Sequence, residues 1–149
     1  MKERKGCVFS ISQDNEPVAG CTISKDVVHQ ADCQVLYFSL AAQTDISPET
    51  YDQVKILYVT AGTLCLYGPE GEREVPQGQV YIARPGIPVG MKSLHGAVYV
   101  EITVKEETLM NIDTGKLFSL ASLVPCQDGK IINRDIIQSP KVKFVVMSF

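Results

Sequence analysis

The chain has 149 residues, of which 45% are hydrophobic and 21% charged, and its formal net charge is −3. These are the values of an ordinary globular domain with one hydrophobic core, and they argue against disorder. The negative charge predicts no nucleic-acid partner and no anionic membrane surface. Neither a membrane-spanning apolar run nor a signal-like stretch is found, so we expect no membrane partner and a cytoplasmic location.

The periodicity along the chain is that of short β-strands, rich in β-branched and aromatic residues. The strand-like segments are, in chain order, residues 35–40, 54–60, 63–67, 73–75, 80–83 and 97–104. Turns with glycine and proline separate them, as at residues 68–71 and 76–78. This spacing predicts an all-β sandwich or barrel. Residues 117–124 have the apolar spacing of about two helical turns.

An internal repeat links the two ends of the chain. Residues 20–29, GCTISKDVVH, align without gaps with residues 129–138, GKIINRDIIQ, and residues 35–40 align with residues 144–149. Both copies carry a Lys/Arg-Asp pair followed by two β-branched residues, although two amphipathic strands also resemble each other by chance. We therefore predict two regions: a barrel in residues 1–115, and a C-terminal extension in residues 116–149 that resembles the start of a second barrel.

The extension has two readings that the sequence leaves open. The chain is either a shortened form of a two-barrel protein, or the extension is an element that covers a sheet edge in its own barrel or in a partner's. An apolar segment such as residues 144–149 is not expected to stay bare at a sheet edge. We expect it to be paired, and a homodimer is a simple way to achieve this.

The five cysteines, at positions 7, 21, 33, 65 and 126, include no C-x-x-C pair. Neither a zinc ribbon nor a thioredoxin-type site is therefore predicted. We expect reduced and mostly buried thiols.

Residues 46–104 resemble the cupin superfamily. Residues 56–62, ILYVTAG, match the strand and glycine that end the first cupin motif, and residues 78–88, GQVYIARPGIP, match the glycine, strand and Pro-Gly turn of the second. Gly62 and Gly78 are expected where a positive φ or a close backbone approach is needed. The resemblance implies a cupin-type double-stranded β-helix, a jelly-roll barrel with few short helical turns.

The metal ligands that the family motifs imply are replaced in this chain. Where the family has His, His, Glu and His, this sequence has Glu49, Tyr51, Lys55 and Val89, or Gly90 at the last position if the loop is shifted by one. Glutamate is able to ligate a cation, but tyrosine is a poor ligand near neutral pH, lysine adds a positive charge, and valine has no lone pair. A rearranged metal site that combines His95 with Glu49 or Glu101 has no spacing rule in its favour. We therefore expect no metal at this position and no cofactor.

The substituted positions still form a candidate ligand pocket. Strand alternation places Glu49, Tyr51, Lys55, Leu57 and Val59 on one face. Glu49 and Lys55 are expected to pair, which is either a purely structural ion pair or part of a binding site. In the second case Lys55 anchors a small polar or anionic ligand and Tyr51 donates to it. The predicted pocket consists of Glu49, Tyr51, Lys55, Leu57, Val89 and Met91.

Three functions follow from this reading. The first is a metal-free small-molecule-binding protein with a regulatory or accessory role, which is not an enzyme. The second is a cupin enzyme, of isomerase, lyase or dioxygenase type, with a rearranged or metal-independent site. Acid–base chemistry with Tyr51 and Lys55 belongs to this second function. The third is a structural or assembly role through the C-terminal extension.

Overall fold

The structure is a computed structural model that describes Glu3 and residues 6–149. In that part of the chain there are two short 3-10 helices, Glu106–Thr108 and Leu120–Leu123, and the prediction of an all-β fold is confirmed. The strands are β1 Thr22–Gln30, β2 Cys33–Leu40, β3 Thr44–Glu49, β4 Val54–Gly68, β5 Gly71–Pro76, β6 Gln79–Ala83, β7 Val89–Ser93, β8 Ala97–Val104, β9 Leu117–Ser119, β10 Ile132–Gln138 and β11 Lys143–Ser148.

Strand β4 joins the two sheets of the barrel. Its first half pairs with β6 and β8, in a sheet ordered β1-β2-β8-β4-β6-β9. Its second half pairs with β5 and β7, and β7 pairs in turn with β3. The sequence predicted two separate strands, residues 54–60 and 63–67. They are instead two halves of β4, which bends between them and continues from one sheet into the other.

The bend depends on Gly62. The backbone there has a φ of 71°, next to a register shift between Val59 and Ala61. A Cβ at position 62 would lie 2.1 Å from the carbonyl oxygen of Gly96, so no larger residue fits. Gly78 also has a positive φ, of 82°, which confirms the prediction for both glycines.

The first half of β4 is buried on both faces, which explains why it reads as an almost continuous apolar run. Lys55, Leu57 and Val59 point into the barrel, while Val54 and Ile56 face the outer side of the larger sheet. The interior cluster consists of Leu40, Leu57, Val59, Leu64, Leu66, Val75, Tyr81, Ala83, Met91, Ala97 and Tyr99. The outer cluster consists of Cys33, Val54, Ile56, Val80, Ile82, Val104, Ile136 and Ile137.

The two copies of the internal repeat form two antiparallel hairpins with one register. Hairpin one is β1–β2, in which Ile23 pairs with Ser39. Hairpin two is β10–β11, in which the equivalent Ile132 pairs with the equivalent Ser148. The similarity between the two segments therefore extends from the sequence to the backbone pairing.

A bulge at the same place strengthens this correspondence. The register of β1 shifts between Asp26 and Val28, and that of β10 shifts between the equivalent Asp135 and Ile137. A bulge inserts one residue and twists the strand locally. The Lys/Arg-Asp pair and the two β-branched residues of the repeat thus mark the bulge in both copies.

Hairpin two covers the outer face of the larger sheet as a second layer. Ile136 and Ile137 are each only 1% exposed, and Phe144 and Val146 pack against the same outer cluster. An isolated bridge joins Ile137 to Leu109, and among the described residues β11 pairs only with β10. The pairing of this segment with a barrel edge therefore stays a prediction, as does the division into residues 1–115 and 116–149.

The helical prediction for residues 117–124 is wrong for residues 117–119, and only Leu120–Leu123 forms a helical turn, of the 3-10 type. Leu117–Ser119 is strand β9, which pairs with β6 at the edge of the larger sheet. Ser119 then ends the strand, because its hydroxyl accepts a hydrogen bond from the backbone N–H of Ser122, 3.2 Å away, and starts a single 3-10 turn. The pairing with β6 decides the conformation of a short segment whose apolar spacing alone indicated a helix.

All five cysteines are free thiols, but only Cys33 is buried. The expectation of mostly buried thiols is wrong, because Cys7, Cys21 and Cys126 are exposed. Burial raises the pKa of the Cys33 thiol above its ordinary value. Within the described part of the chain, no helix is long and apolar enough to cross a membrane.

Candidate functional site

Lys55 enters the barrel interior from the start of β4, and its ammonium group forms an ion pair with Glu101 of β8. The Nζ atom donates to Glu101 Oε1 at 2.5 Å. Their side chains are only 11% and 3% exposed, respectively. A buried charge needs a partner, so Lys55 and Glu101 each compensate the charge of the other.

The pair predicted from the sequence, Glu49 with Lys55, does not form. The chain leaves β3 at Glu49 and enters β4 only at Val54, so strand alternation does not continue from one residue to the other. Glu101, in contrast, lies on β8 directly opposite Leu57, two residues along β4 from Lys55. Side chains two apart share a face, so Glu101 is within reach of the ammonium group.

Tyr51 covers the ion pair from the loop before β4. The Nζ atom of Lys55 lies 3.7 Å from the centroid of the Tyr51 ring, a cation–π contact. The phenol donates to Glu49 Oε2 at 2.9 Å. Burial, followed by the hydrogen bond and charge of Glu49, raises the pKa of Tyr51 well above its ordinary value. Tyr51 is therefore a neutral hydrogen-bond donor near neutral pH.

Two buried hydroxyl groups flank Glu101 on β8. They belong to Tyr99, which is fully buried, and Thr103, which is 8% exposed, and neither has a hydrogen-bond partner among the described residues. Burial and the charge of Glu101 raise the pKa of Tyr99. The ring of Tyr99 stacks on Phe38, with centroids 5.0 Å apart. This end of the barrel interior is therefore polar, whereas the rest of it is apolar.

The remaining predicted pocket residues form part of the wall. Leu57 and Met91 are fully buried in the interior cluster, and Val89 packs against it. Val89 lies directly opposite Glu49 in the pairing of β3 with β7. The positions equivalent to the two metal motifs thus meet at one end of the barrel, although Glu49 itself is exposed.

A backbone hydrogen bond joins the two motifs. The N–H of Gly86 donates to the carbonyl oxygen of Tyr51 at 2.8 Å, so the Pro85-Gly86 turn lies beside the loop that carries Tyr51. Arg84, just before this turn, is exposed and forms an ion pair with Glu70, with 3.0 Å between Nη1 and Oε1. The turn therefore lies at the mouth of the barrel.

The residues at the position of the family's metal do not fit a divalent cation. The ammonium group of Lys55 places a positive charge against the Glu101 carboxylate, which would have to act as a ligand of the cation. Val89 has no atom that is able to coordinate a metal. His95 lies in the turn between β7 and β8, and His29 is exposed in hairpin one. Across Glu3 and residues 6–149, no three His, Cys, Asp or Glu side chains converge in a metal-binding arrangement.

The sequence did not predict Glu101 as the partner of Lys55. Glu101 occupies an inward-facing position of an otherwise apolar strand, AVYVEITV. An acidic residue with two strongly apolar neighbours is a signal of a buried and paired carboxylate. Its partner, however, lies 46 residues earlier in the chain, and only the pairing of β4 with β8 brings the two together.

Comparison with solved structures identifies the fold. A cupin 2 conserved barrel domain protein from Leptotrichia buccalis has a TM-score of 0.78 and 19% identity over 92% of this chain, which spans 62% of that protein's length. A conserved protein of unknown function from Streptococcus pyogenes has a TM-score of 0.66 and 17% identity, covering 69% of this chain and 90% of that one. An uncharacterised protein with a double-stranded β-helix domain from Klebsiella pneumoniae has a TM-score of 0.59 and 17% identity, covering 77% and 92%.

No family model and no curated protein matches the chain. At this level of identity the solved structures establish the fold alone, and the predicted cupin-type jelly-roll barrel is confirmed.

Proposed function

We propose that this cupin-fold chain is a metal-independent protein that binds a small polar or anionic molecule, with a regulatory or accessory role. The observation that carries the proposal is the position of the Lys55 ammonium group. Lys55 occupies one of the positions at which the family resemblance implies a metal ligand. Its ammonium group contacts Glu101 at 2.5 Å and the centroid of the Tyr51 ring at 3.7 Å. The protein's own cation thus compensates the interior carboxylate, and a divalent ion is not needed for that purpose.

The alternative, an acid–base enzyme that uses Tyr51 and Lys55, has less support. The raised pKa of Tyr51 makes its phenolate a minor species near neutral pH, so it is a poor general base. Lys55 is engaged on one side by Glu101 and on the other by an aromatic ring. Both groups are arranged to stabilise one another rather than to exchange protons with a substrate.

The first test is the metal content of the native protein. Elemental analysis after purification without chelators or added metal is expected to find no stoichiometric iron, manganese, nickel or zinc. One equivalent of any of these metals per chain would overturn the proposal.

The second test compares a single and a double variant at the ion pair. Lys55→Met leaves Glu101 buried without a partner and is expected to lower the free energy of unfolding by about 3–5 kcal/mol. Lys55→Met combined with Glu101→Leu is expected to recover most of this loss, because no unpaired charge remains. Lys92→Met is a matched control, since its partner Glu72 is 63% exposed. Urea unfolding followed by circular dichroism measures all four proteins; a double variant no more stable than Lys55→Met would contradict the pairing role.

A further inference from the structure

A cavity of about 50 Å³ opens at the mouth of the barrel, between the ends of β4, β5 and β6 and the loop before β7. Its inner wall is apolar and consists of Leu66, Tyr81, Ala83 and Val89, which belong to the interior cluster or pack against it. The cavity therefore joins the solvent to the barrel wall. Its volume accommodates a group of a few heavy atoms rather than a drug-sized molecule.

Two arginine side chains line this cavity. The guanidinium group of Arg73 lies over the Tyr81 ring, with Cζ 5.6 Å from the centroid, and its Nη1 donates to the carbonyl oxygen of Gly115 at 3.0 Å. The guanidinium group of Arg84 lies against the same glycine and donates to Glu70. Each guanidinium carries five N–H donors in a planar fork, so one hydrogen bond to protein uses only a part of its capacity.

Gly115 lies against both guanidinium groups, outside the lining of the cavity. Its φ is 74°, and its N–H donates to the carbonyl oxygen of Ile82 at 2.8 Å. A Cβ at this position would lie 2.6 Å from Nη2 of Arg84. Only glycine allows this conformation together with such a close approach.

The charges that line the cavity balance, but they leave one guanidinium group available. The lining carries two arginines and two glutamates, Glu70 and Glu72. Glu72 is neutralised by Lys92, whose Nζ is 2.5 Å away, and this hydrogen bond and charge hold the pKa of Glu72 below its ordinary value. Glu70 is paired with Arg84 in the same way, so the two glutamates of the lining are both compensated. Arg73 forms no ion pair with a described carboxylate, and its guanidinium group is therefore the cation available to a bound anion.

We propose that this cavity binds the oxyanion group of a small molecule, a carboxylate or a phosphate, held by Arg73 and Arg84. The planar forks of arginine match the oxygen pairs of both groups. The inference rests on the proposed function, because it assumes that the protein binds a small ligand. It differs in that the two arginines, and not Lys55, bind the anionic group of that ligand. It does not depend on the absence of a metal.

The test is a titration of the full chain with inorganic phosphate and, separately, with acetate, at constant ionic strength. Binding is followed by calorimetry and by amide chemical-shift changes in a ¹H–¹⁵N spectrum. Saturable binding is expected for at least one of these probes, with shifts centred on Gly115 and Arg84; the tighter probe identifies the oxyanion.

Arg73→Gln and Arg84→Gln are each expected to weaken binding by about tenfold or more, since each removes charge-assisted hydrogen bonds. Arg134→Gln is the matched control, because Arg134 donates to Asn111 in another region and should leave the affinity unchanged. Equal affinities for wild type and both cavity variants, or no saturable binding of either probe, would overturn the inference. Stoichiometric metal with intact phosphate or acetate binding would overturn the proposed function alone.

Discussion

The two hairpins of this protein have the same register and the same bulge, but their surroundings differ on one face. In hairpin one, Phe38 of β2 turns towards the barrel interior and stacks on Tyr99. The equivalent residue of hairpin two is Met147, which is 51% exposed. The opposite faces of both hairpins contribute to the outer cluster, as Val35 and its equivalent Phe144 illustrate. A similar sequence pattern thus forms the same hairpin whether or not a barrel closes over its second face.

The second strands of the two hairpins also differ in whether their outer edge is paired. Strand β2 pairs with β8 along its whole length, from Cys33 opposite Val104 to Leu40 opposite Ala97. Its equivalent β11 pairs only with β10 within the described residues. Tertiary pairing of β2, rather than the hairpin itself, therefore makes hairpin one a part of the barrel.

The largest expected effect separates the two inner faces. Phe38→Lys places a charge in the barrel interior and removes the stacking on Tyr99, so we expect a loss of about 3–5 kcal/mol or no folding at all. Met147→Lys, at the equivalent position, is expected to change the free energy of unfolding by less than about 0.5 kcal/mol. Urea unfolding monitored by circular dichroism compares the two variants. A similar loss in both would show that the exposed face of hairpin two is covered in solution.

The Met147→Lys variant also examines the homodimer that we expect from the sequence. If two copies associate through hairpin two, sedimentation equilibrium will find a dimer for the wild type and a weakened dimer for the variant. A wild-type chain that stays monomeric over the accessible concentration range would contradict the expected homodimer.

A smaller effect separates the bulges. Ile137 is 1% exposed in the outer cluster, and Ile137→Ala is expected to cost about 2–4 kcal/mol because it leaves a cavity between the layers. Its equivalent, Val28, is only half-buried, so Val28→Ala should cost less than about 1 kcal/mol. The midpoints and slopes of urea unfolding give both values. A larger loss in the free energy of unfolding for Val28→Ala than for Ile137→Ala would contradict this prediction.

The smallest effect concerns the contact between the turns of the hairpins. Asp32, in the turn of hairpin one, lies 3.0 Å from Nζ of Lys141 in the turn of hairpin two. The hydrogen bond and charge of Lys141 hold the pKa of Asp32 below its ordinary value of 3.8. Because the folded-state pKa is lowered, this contribution to stability is present above pH 3.8 and is lost as the pH falls through the folded-state value.

Asp32→Asn should therefore lower Tm slightly at pH 6 and by less near pH 2.5, and added salt should diminish the effect at pH 6. Asp113→Asn is the control, since its partner Lys116 lies only three residues away and connects no two elements. An Asp32→Asn penalty of the same size at both pH values would mean that the carboxylate acts by its shape and not by its charge.

The sequence predicted the strands well where alternation and turn residues agree. Strand β8 spans the predicted residues 97–104, and Gly62 has the positive φ that its place between two strand-like segments implies. Residues 117–119 were mispredicted as helical because β6 pairs with them, and this contact is not visible in the local apolar spacing. Local patterns identify elements, but tertiary pairing selects among the conformations that a short segment is able to adopt.

The candidate site was predicted in part for a similar reason. Tyr51 and Lys55 are brought together, as expected, but the carboxylate that holds Lys55 is Glu101 and not Glu49. The motif positions gave no information about β8, which lies outside both motifs. The partner of a buried charge depends on strand order, and the register of β4 with β8 determines it here.

Strand β4 has a consequence for the dynamics of the molecule. Because its two halves pair with β8 and β6 in one sheet and with β5 and β7 in the other, neither sheet separates without breaking it. Its amide protons should therefore exchange with solvent only when the whole barrel unfolds, whereas those of β11 exchange through a local opening that leaves the barrel intact. The protein should behave as two cooperative units of unequal stability, with hairpin two as the first to open.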